Sequence, residues 1–187
     1  MTEHASSGGA GFAGAGARTS IRELAEARRT HKAFGSEPVP RDVLLELLEV
    51  ARLAPNHHLT QPWRFRVIGP ETLAALKECG GPSEALKLDR APTLVVASAR
   101  LSGELVQDDE DVCATASAIT LVLLAATERG LASYWRTPAL FRGERGREIV
   151  GITAGERVLG LLHFGAPVRE PATRERLPVE SYVDFLP

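Results

Sequence analysis

Cysteine is scarce in this chain: 187 residues contain only Cys79 and Cys113, and neither belongs to a CxxC pair. A disulfide scaffold and a thiolate metal site are thereby excluded, and a reducing cytoplasm fits best. Charge of one sign is also lacking. Lys and Arg number 22 against 24 Asp and Glu, a net charge of −2, so no general attraction to nucleic acid or to an anionic membrane follows. The longest apolar stretch, Val112 to Ala126, is broken by Thr115, Ser117 and Thr120 and falls short of the roughly 20 residues a bilayer crossing needs. An integral membrane protein is not expected. No Gly-rich phosphate loop of the Walker or dinucleotide type occurs, which disfavours nucleoside-triphosphate chemistry. No G-x-S-x-G turn or acid pair beside a histidine marks a hydrolytic nucleophile. His57 and His58 are adjacent and expected to diverge, and His4, His31 and His163 are scattered, so no metal site is expected.

What remains is the composition of an ordinary globular chain, 44% apolar, 25% charged and 5% aromatic, with one domain as the default. Residues 1–18 are rich in Gly, Ala and Ser, with Phe12 as the only large apolar side chain. They read as a flexible tail ahead of a single domain over 19–187. The tail lacks the basic start and continuous apolar core of an export signal.

Helical patterning begins at Ser20, whose side chain and Glu23 form a capping box. The helix is expected to run to about Thr30. A second helix carries Val43, Leu44, Leu47, Leu48 and Ala51 on one face and stops at Pro55. Trp63, Phe65 and Val67 alternate with Arg64 and Arg66, the pattern of a strand with one covered face. A short helix is predicted over Pro70 to Glu78. Thr93 to Ala99 reads as a central strand buried on both faces. The acids Asp108 to Asp111 precede a long apolar helix to about Arg129, capped by Gly130. Leu131 to Arg136 and Val158 to Gly165 are further strands, with short helical pieces between Pro138 and Val150. Strands mixed with helices around one sheet give an α+β or α/β sandwich. The all-round apolar character of the long helix raises the expectation of a dimer core.

Three clusters could carry chemistry. Arg28-Arg29-Thr30 places two guanidinium groups and a hydroxyl at a helix end, a combination that suits a small phosphate; taken alone it is equally a solvated helix end. Ala54-Pro55-Asn56-His57-His58-Leu59-Thr60-Gln61-Pro62-Trp63 is a proline-bracketed polar loop, whose side chains can hydrogen-bond a heteroaromatic edge or simply structure a connection. Trp135-Arg136-Thr137-Pro138 ends a strand, a common ligand position, though a core Trp beside a surface Arg has the same sequence.

Together, in this order, the clusters resemble the nitroreductase family from about Ile21 to Pro167. Arg28-Arg29-Thr30 is similar to that family's Arg-Arg-Ser opening. Ala54-Pro55-Asn56-His57 and Gln61-Pro62-Trp63 are similar to its Ala-Pro-Asp-His and Gln-Pro-Trp loop, and Gly130 to Thr137 to its glycine-to-Trp-Arg-Ser segment. Gly165-Ala166-Pro167 is similar to the closing Gly-x-Pro. The resemblance implies an α+β fold, a mixed, mostly antiparallel sheet enclosed by helices, with FMN at the interface of an intertwined homodimer, reduced by NADH or NADPH and re-oxidised by a nitroaromatic, a quinone or a related organic acceptor. Arg28, Arg29 and Thr30 would contact the phosphate and ribityl chain, His57 and Gln61 would come from the partner subunit, and Trp135, Arg136 and Thr137 would line the cofactor. Ala125, Ala126, Thr127, Glu128, Arg129 and Gly130 match a stretch that would contact the nicotinamide nucleotide. No side chain is an obligatory acid or base, because the flavin carries the chemistry.

Two departures stand out. Leu53 replaces the Arg that close relatives carry before the Ala-Pro step, and Thr replaces Ser at Thr30 and Thr137, which keeps the hydroxyl. The residues between Val67 and Gln107 leave no room for a large substrate-covering insertion. Related reactions on the same fold (dehalogenation, enoyl reduction, flavin breakdown), a non-catalytic flavin carrier or sensor, and a cofactor-free interaction module are the alternatives.

Overall fold

The computed structural model describes residues 19–187; the expected tail over 1–18 lies outside them. Helices α1 (Ile21–Ala27) and α2 (Arg41–Glu49) come first. They are followed by β1 (Trp63–Val67), α3 (Pro70–Leu88), β2 (Thr93–Arg100) and α4 (Leu105–Glu128). Strand β3 (Ala132–Arg136), helix α5 (Glu144–Ile149) and strand β4 (Glu156–Gly165) complete the regular structure. The strands form one antiparallel sheet in the order β1-β2-β4-β3, so the fold is α+β.

Strand alternation divides the core in two. Val95 and Ala97 of β2, with Leu162 and Phe164 of β4, pack against Leu44 and Leu47 of α2 and Ala118, Ile119 and Val122 of α4. Leu94, Val96 and Leu161 face the other way, onto Leu76 and Leu88 of α3 and onto Phe141 and Ile152. Strand β2 is central and buried from Thr93 to Ala99, as its uninterrupted apolar pattern predicts. Its polar members are paired. Ser98 Oγ donates to Glu156 at 2.6 Å, and Arg66 of β1 forms two bonds to the same carboxylate at 2.7 and 2.8 Å. Burial pushes the Glu156 carboxyl up. The Arg66 and Ser98 hydrogen bonds, the Arg66 charge and the Thr153 backbone outweigh that and hold it at about 2.

Several boundaries differ from expectation. Helix α1 keeps its capping box, with Glu23 N–H donating to Ser20 Oγ at 3.2 Å, but ends at Ala27 because Thr30 leaves the helix to bridge Ser133 in parallel. Helix α3 runs to Leu88, ten residues beyond the predicted Glu78. Gly81 breaks it with φ 70° and Pro82 restarts it, so a Gly-Gly-Pro stop signal became a kink. The acids expected ahead of α4 lie within its first turns, and Asp108 Oδ1 accepts from Ser102 N–H at 2.6 Å. At 24 residues α4 is long and apolar enough to cross a membrane, although its longest unbroken apolar stretch is shorter; half of its apolar window is buried inside the fold, as in a core helix. The sheet, α1 and α2 pack against it, and among the described residues they leave Cys113 and Thr120 exposed and Leu124 half-buried.

Candidate functional site

The backbone of β3 organises the site. This strand forms one edge of the sheet; on its outer side Thr30 bridges Ser133 and His31 N–H donates to Ser133 O at 3.0 Å. Residues two apart on a strand turn their backbone polar groups to the same edge, so Trp135 presents its own beside the Ser133 bridge. The first and third sequence clusters are thereby brought together: Arg28-Arg29-Thr30 lies alongside Ser133, two residues from Trp135.

A cleft of about 920 Å³ opens at the end of α1. Arg28, Arg29 and Thr30 line it, joined by Lys32 and by Arg169, Arg174 and Arg176 of the C-terminal segment. With Arg22, seven basic side chains stand against two acidic ones, Glu26 and Glu170. Arg22 is paired with Glu26 at 2.9 Å, whereas among the described residues Arg28, Arg29, Lys32, Arg169, Arg174 and Arg176 form no ion pair. Burial, then the charges of Arg176 and Arg29, pull the Arg28 guanidinium below its ordinary value. Partly buried like charges repel one another, and a ligand anion between them would relieve that repulsion. His31 behaves similarly. Burial lowers it, Glu170 and the Arg169 backbone oppose that, and Arg28 lowers it further.

The C-terminal contribution was invisible in the sequence, because Arg169, Arg174 and Arg176 sit in a stretch without periodicity. Lys32 lay two residues beyond a recognised motif. The signal available was the density of arginines after Gly165, which a whole-chain charge of −2 conceals.

The Trp135-Arg136-Thr137 cluster splits by side chain. The Trp135 Nε1–H donates to Leu159 O at 3.0 Å, and its ring packs against the α4 side of the sheet. Tyr134 and Arg136 face the α3 side. Tyr134 lies 5.4 Å from the His163 ring, and the Arg136 guanidinium is paired with Glu84. His163 is fully buried, and burial together with Arg136 and Arg90 lowers its pKa to about 3.

His57 and Gln61 do not line the Arg28 cleft. Their loop is exposed and strained: His58, Leu59 and Gln61 have φ of 52°, 51° and 44°, a region that non-glycine residues rarely occupy. Asn56 holds the loop by accepting from Gln61 N–H at 2.9 Å, and Thr60 Oγ1 donates to Asp111 at 2.5 Å. His57 Nδ1 lies 2.8 Å from Glu110. The two histidine rings, expected to diverge, stack at 3.8 Å, because the left-handed backbone of His58 folds its ring back. Leu53 is 70% exposed.

In the 125–130 stretch, Ala125 and Ala126 are buried in the core and Thr127 donates to Leu123 O at 3.0 Å. Only Glu128, Arg129 and Gly130 are exposed, and Arg129 is paired with Glu46.

The family model of the nitroreductase family matches residues 25–79 and 81–166. The chain belongs to the nitroreductase family. Among its relatives is YfhC of Bacillus subtilis (strain 168), provisionally named an NAD(P)H nitroreductase. It is 31% identical over 178 residues, covering 86% of this chain and 91% of YfhC. The structure of a nitroreductase-like family protein from Bacillus cereus superposes with a TM-score of 0.84 at 28% identity, over 92% of this chain and 99% of that one. Iodotyrosine deiodinase bound to FMN and 3-iodo-L-tyrosine shares the fold, with a TM-score of 0.71 at 24% identity over 89% of this chain and 100% of the other. The nitroreductase match includes the polar loop and β3, and stops short of Arg169, Arg174 and Arg176.

Proposed function

We propose that this nitroreductase-family chain is an FMN-dependent oxidoreductase that takes hydride from NADH or NADPH and reduces a nitroaromatic, a quinone or a related organic acceptor. The observation that carries the reading is the cleft of unpaired basic residues beside the open edge of β3. Among the described residues all of its cations but Arg22 form no ion pair, and a monophosphate fits them better than a dinucleotide does, because no dinucleotide fingerprint adjoins.

In this reading Arg28 and Arg29 hold the phosphate, with Thr30 on the ribityl chain and Lys32 and Arg169 adding to the field. The backbone of Trp135 and the Arg136-Thr137 segment line the cofactor. When bound, FMN supplies a ring that accepts hydride and passes electrons on. The chain's residues bind and orient, and none is needed as an obligatory acid or base. Nicotinamide-nucleotide contacts in the 125–130 stretch come from Glu128, Arg129 and Gly130, since Ala125 and Ala126 are enclosed.

His57 and Gln61 complete the site from a second copy of the chain. Support comes from their position outside the Arg28 cleft and from the half-covered α4, whose apolar outer side a homodimer would bury.

The test is the spectrum of freshly purified protein, followed by chromatography of the cofactor released by heat and by NAD(P)H oxidation with a quinone. FMN, rather than FAD, and turnover above an apoprotein control are expected. No flavin after incubation with excess FMN would overturn the reading. The deiodinase likeness supplies a second reaction to assay: iodide release from 3-iodotyrosine under anaerobic reduction, in place of quinone turnover, would reassign the acceptor.

A further inference from the structure

A second cleft, of about 600 Å³, lies where α3 meets the end of β3, and it shares no lining residue with the Arg28 cleft. Glu84, Lys87, Arg90, Tyr134 and Arg136 line it. We propose that it is the acceptor subsite and takes an aromatic carboxylate, with the oxyanion received by Arg136, Lys87 and Arg90 and the ring lying against Tyr134. This rests on the oxidoreductase reading above and names the substrate class for it.

The Arg136 side chain is only 9% exposed. One of its terminal nitrogens is paired with Glu84, while Nη1 is buried with no hydrogen-bond partner. A buried cationic donor left unpaired is costly, and Arg136 is among the residues that line the cleft. Glu84 holds one edge of the guanidinium, and the Nη1 edge carries no hydrogen bond. That carboxylate is already shared with Lys87, at 3.5 Å, and among the described residues Arg90 forms no ion pair. Three cations therefore surround one carboxylate, and a single added carboxylate moves the cleft toward balance.

His163, behind Tyr134, adds no charge, because burial keeps it neutral at any working pH. Tyr134 and Pro138 give the cleft apolar surface. Its volume is of the order of small-ligand pockets, roughly 300–1,000 Å³.

The experiment compares two acceptors of one shape, nitrobenzene and 4-nitrobenzoate, on the flavin-loaded enzyme with a saturating nicotinamide donor. The wild type is expected to favour 4-nitrobenzoate in kcat/KM, mainly through KM. In the Lys87→Gln/Arg90→Gln variant the ratio of the two kcat/KM values should fall about tenfold or more, the scale expected when charge-assisted hydrogen bonds are removed, with FMN occupancy retained. Lys87→Arg alone, which keeps the charge, should keep the wild-type ratio. An unchanged ratio in the double variant overturns the proposal. Loss of FMN in step with the ratio also overturns it, because the oxyanion held there would then be the cofactor's own phosphate. Calorimetric titration with benzoate is independent of turnover: binding to the wild type, weakened by a similar factor in the double variant, is expected, and no binding to the wild type rejects the subsite. Should the chain carry no flavin, the oxidoreductase reading fails on its own terms, while the benzoate titration still decides this one.

Discussion

A guanidinium group that is partly buried among its own kind is a sign of something to be bound. Arg28 stands between Arg29 and Arg176 with no carboxylate paired to it among the described residues, and its pKa is lowered accordingly. Replacing Arg28 and Arg29 together by Ala should therefore weaken FMN binding by about 1.5–3 kcal/mol for each charge-assisted hydrogen bond removed, as read by titrating apoprotein with FMN and following flavin fluorescence. Unchanged affinity would place the phosphate elsewhere. Gly160 shows how closely the same region is built. A Cβ there would lie 2.3 Å from Trp135 Nε1 and 2.6 Å from Arg136 O, so Gly160→Ala must displace the strand that carries the site. The expected cost is about 1–3 kcal/mol of overpacking, measured by urea unfolding, together with weaker FMN binding. A variant of wild-type stability would mean that β3 yields freely.

Among the elements, β1, β2 and β4 are tied by one buried carboxylate. Glu156 receives Arg66 from β1 and Ser98 from β2, and its folded pKa of about 2 lies below the ordinary 4.5. A depressed carboxyl contributes stability that is present above the unfolded value and lost as pH falls toward the folded one. Unfolding free energy should thus decline between about pH 4.5 and pH 2. Glu156→Gln should be less stable at neutral pH and should flatten that decline; an identical acid limb in both proteins would remove Glu156 as its source. This tie was not legible in the sequence, since Arg66 reads there as the exposed face of a strand. The apolar elements were legible, β2 and α4 above all, because burial on both faces or along a long stripe leaves an unbroken pattern. Thr30 and Ser133 are each unremarkable alone, and their bridge accompanies the end of α1 at Ala27. The clusters around them could be recognised by motif, but the cleft's C-terminal arginines carry neither periodicity nor motif, and only folding brings them to Arg28.

For the whole molecule, the exposed outer side of α4 and the position of His57 away from Arg28 both point to a second copy. Light scattering at low micromolar concentration should give twice the chain mass, with a large apolar interface, above about 2,000 Å². A stable monomer retaining FMN would exclude shared sites. A mixed dimer sharpens the test. One His57→Ala chain paired with one Arg28→Ala/Arg29→Ala chain should hold one doubly damaged site and one intact site. Activity should return to about half of wild type if the sites act independently. Each parent homodimer must first prove folded and impaired, and verified mixed dimers that stay inactive would reject the cross-subunit arrangement.

The joining of early and late chain has a consequence for synthesis. The cleft proposed for the phosphate takes Arg28, Arg29 and Lys32 from before the sheet and Arg169, Arg174 and Arg176 from after it, and among the described residues β3 pairs with no strand but β4, which is made after it. A ribosome that has produced α1, the polar loop and even β3 has therefore not yet produced the whole cleft. Such long-range closure is slow compared with local helix formation. The cleft is complete only once Arg176 has been made, so whatever fills it cannot template the folding of the segments made earlier.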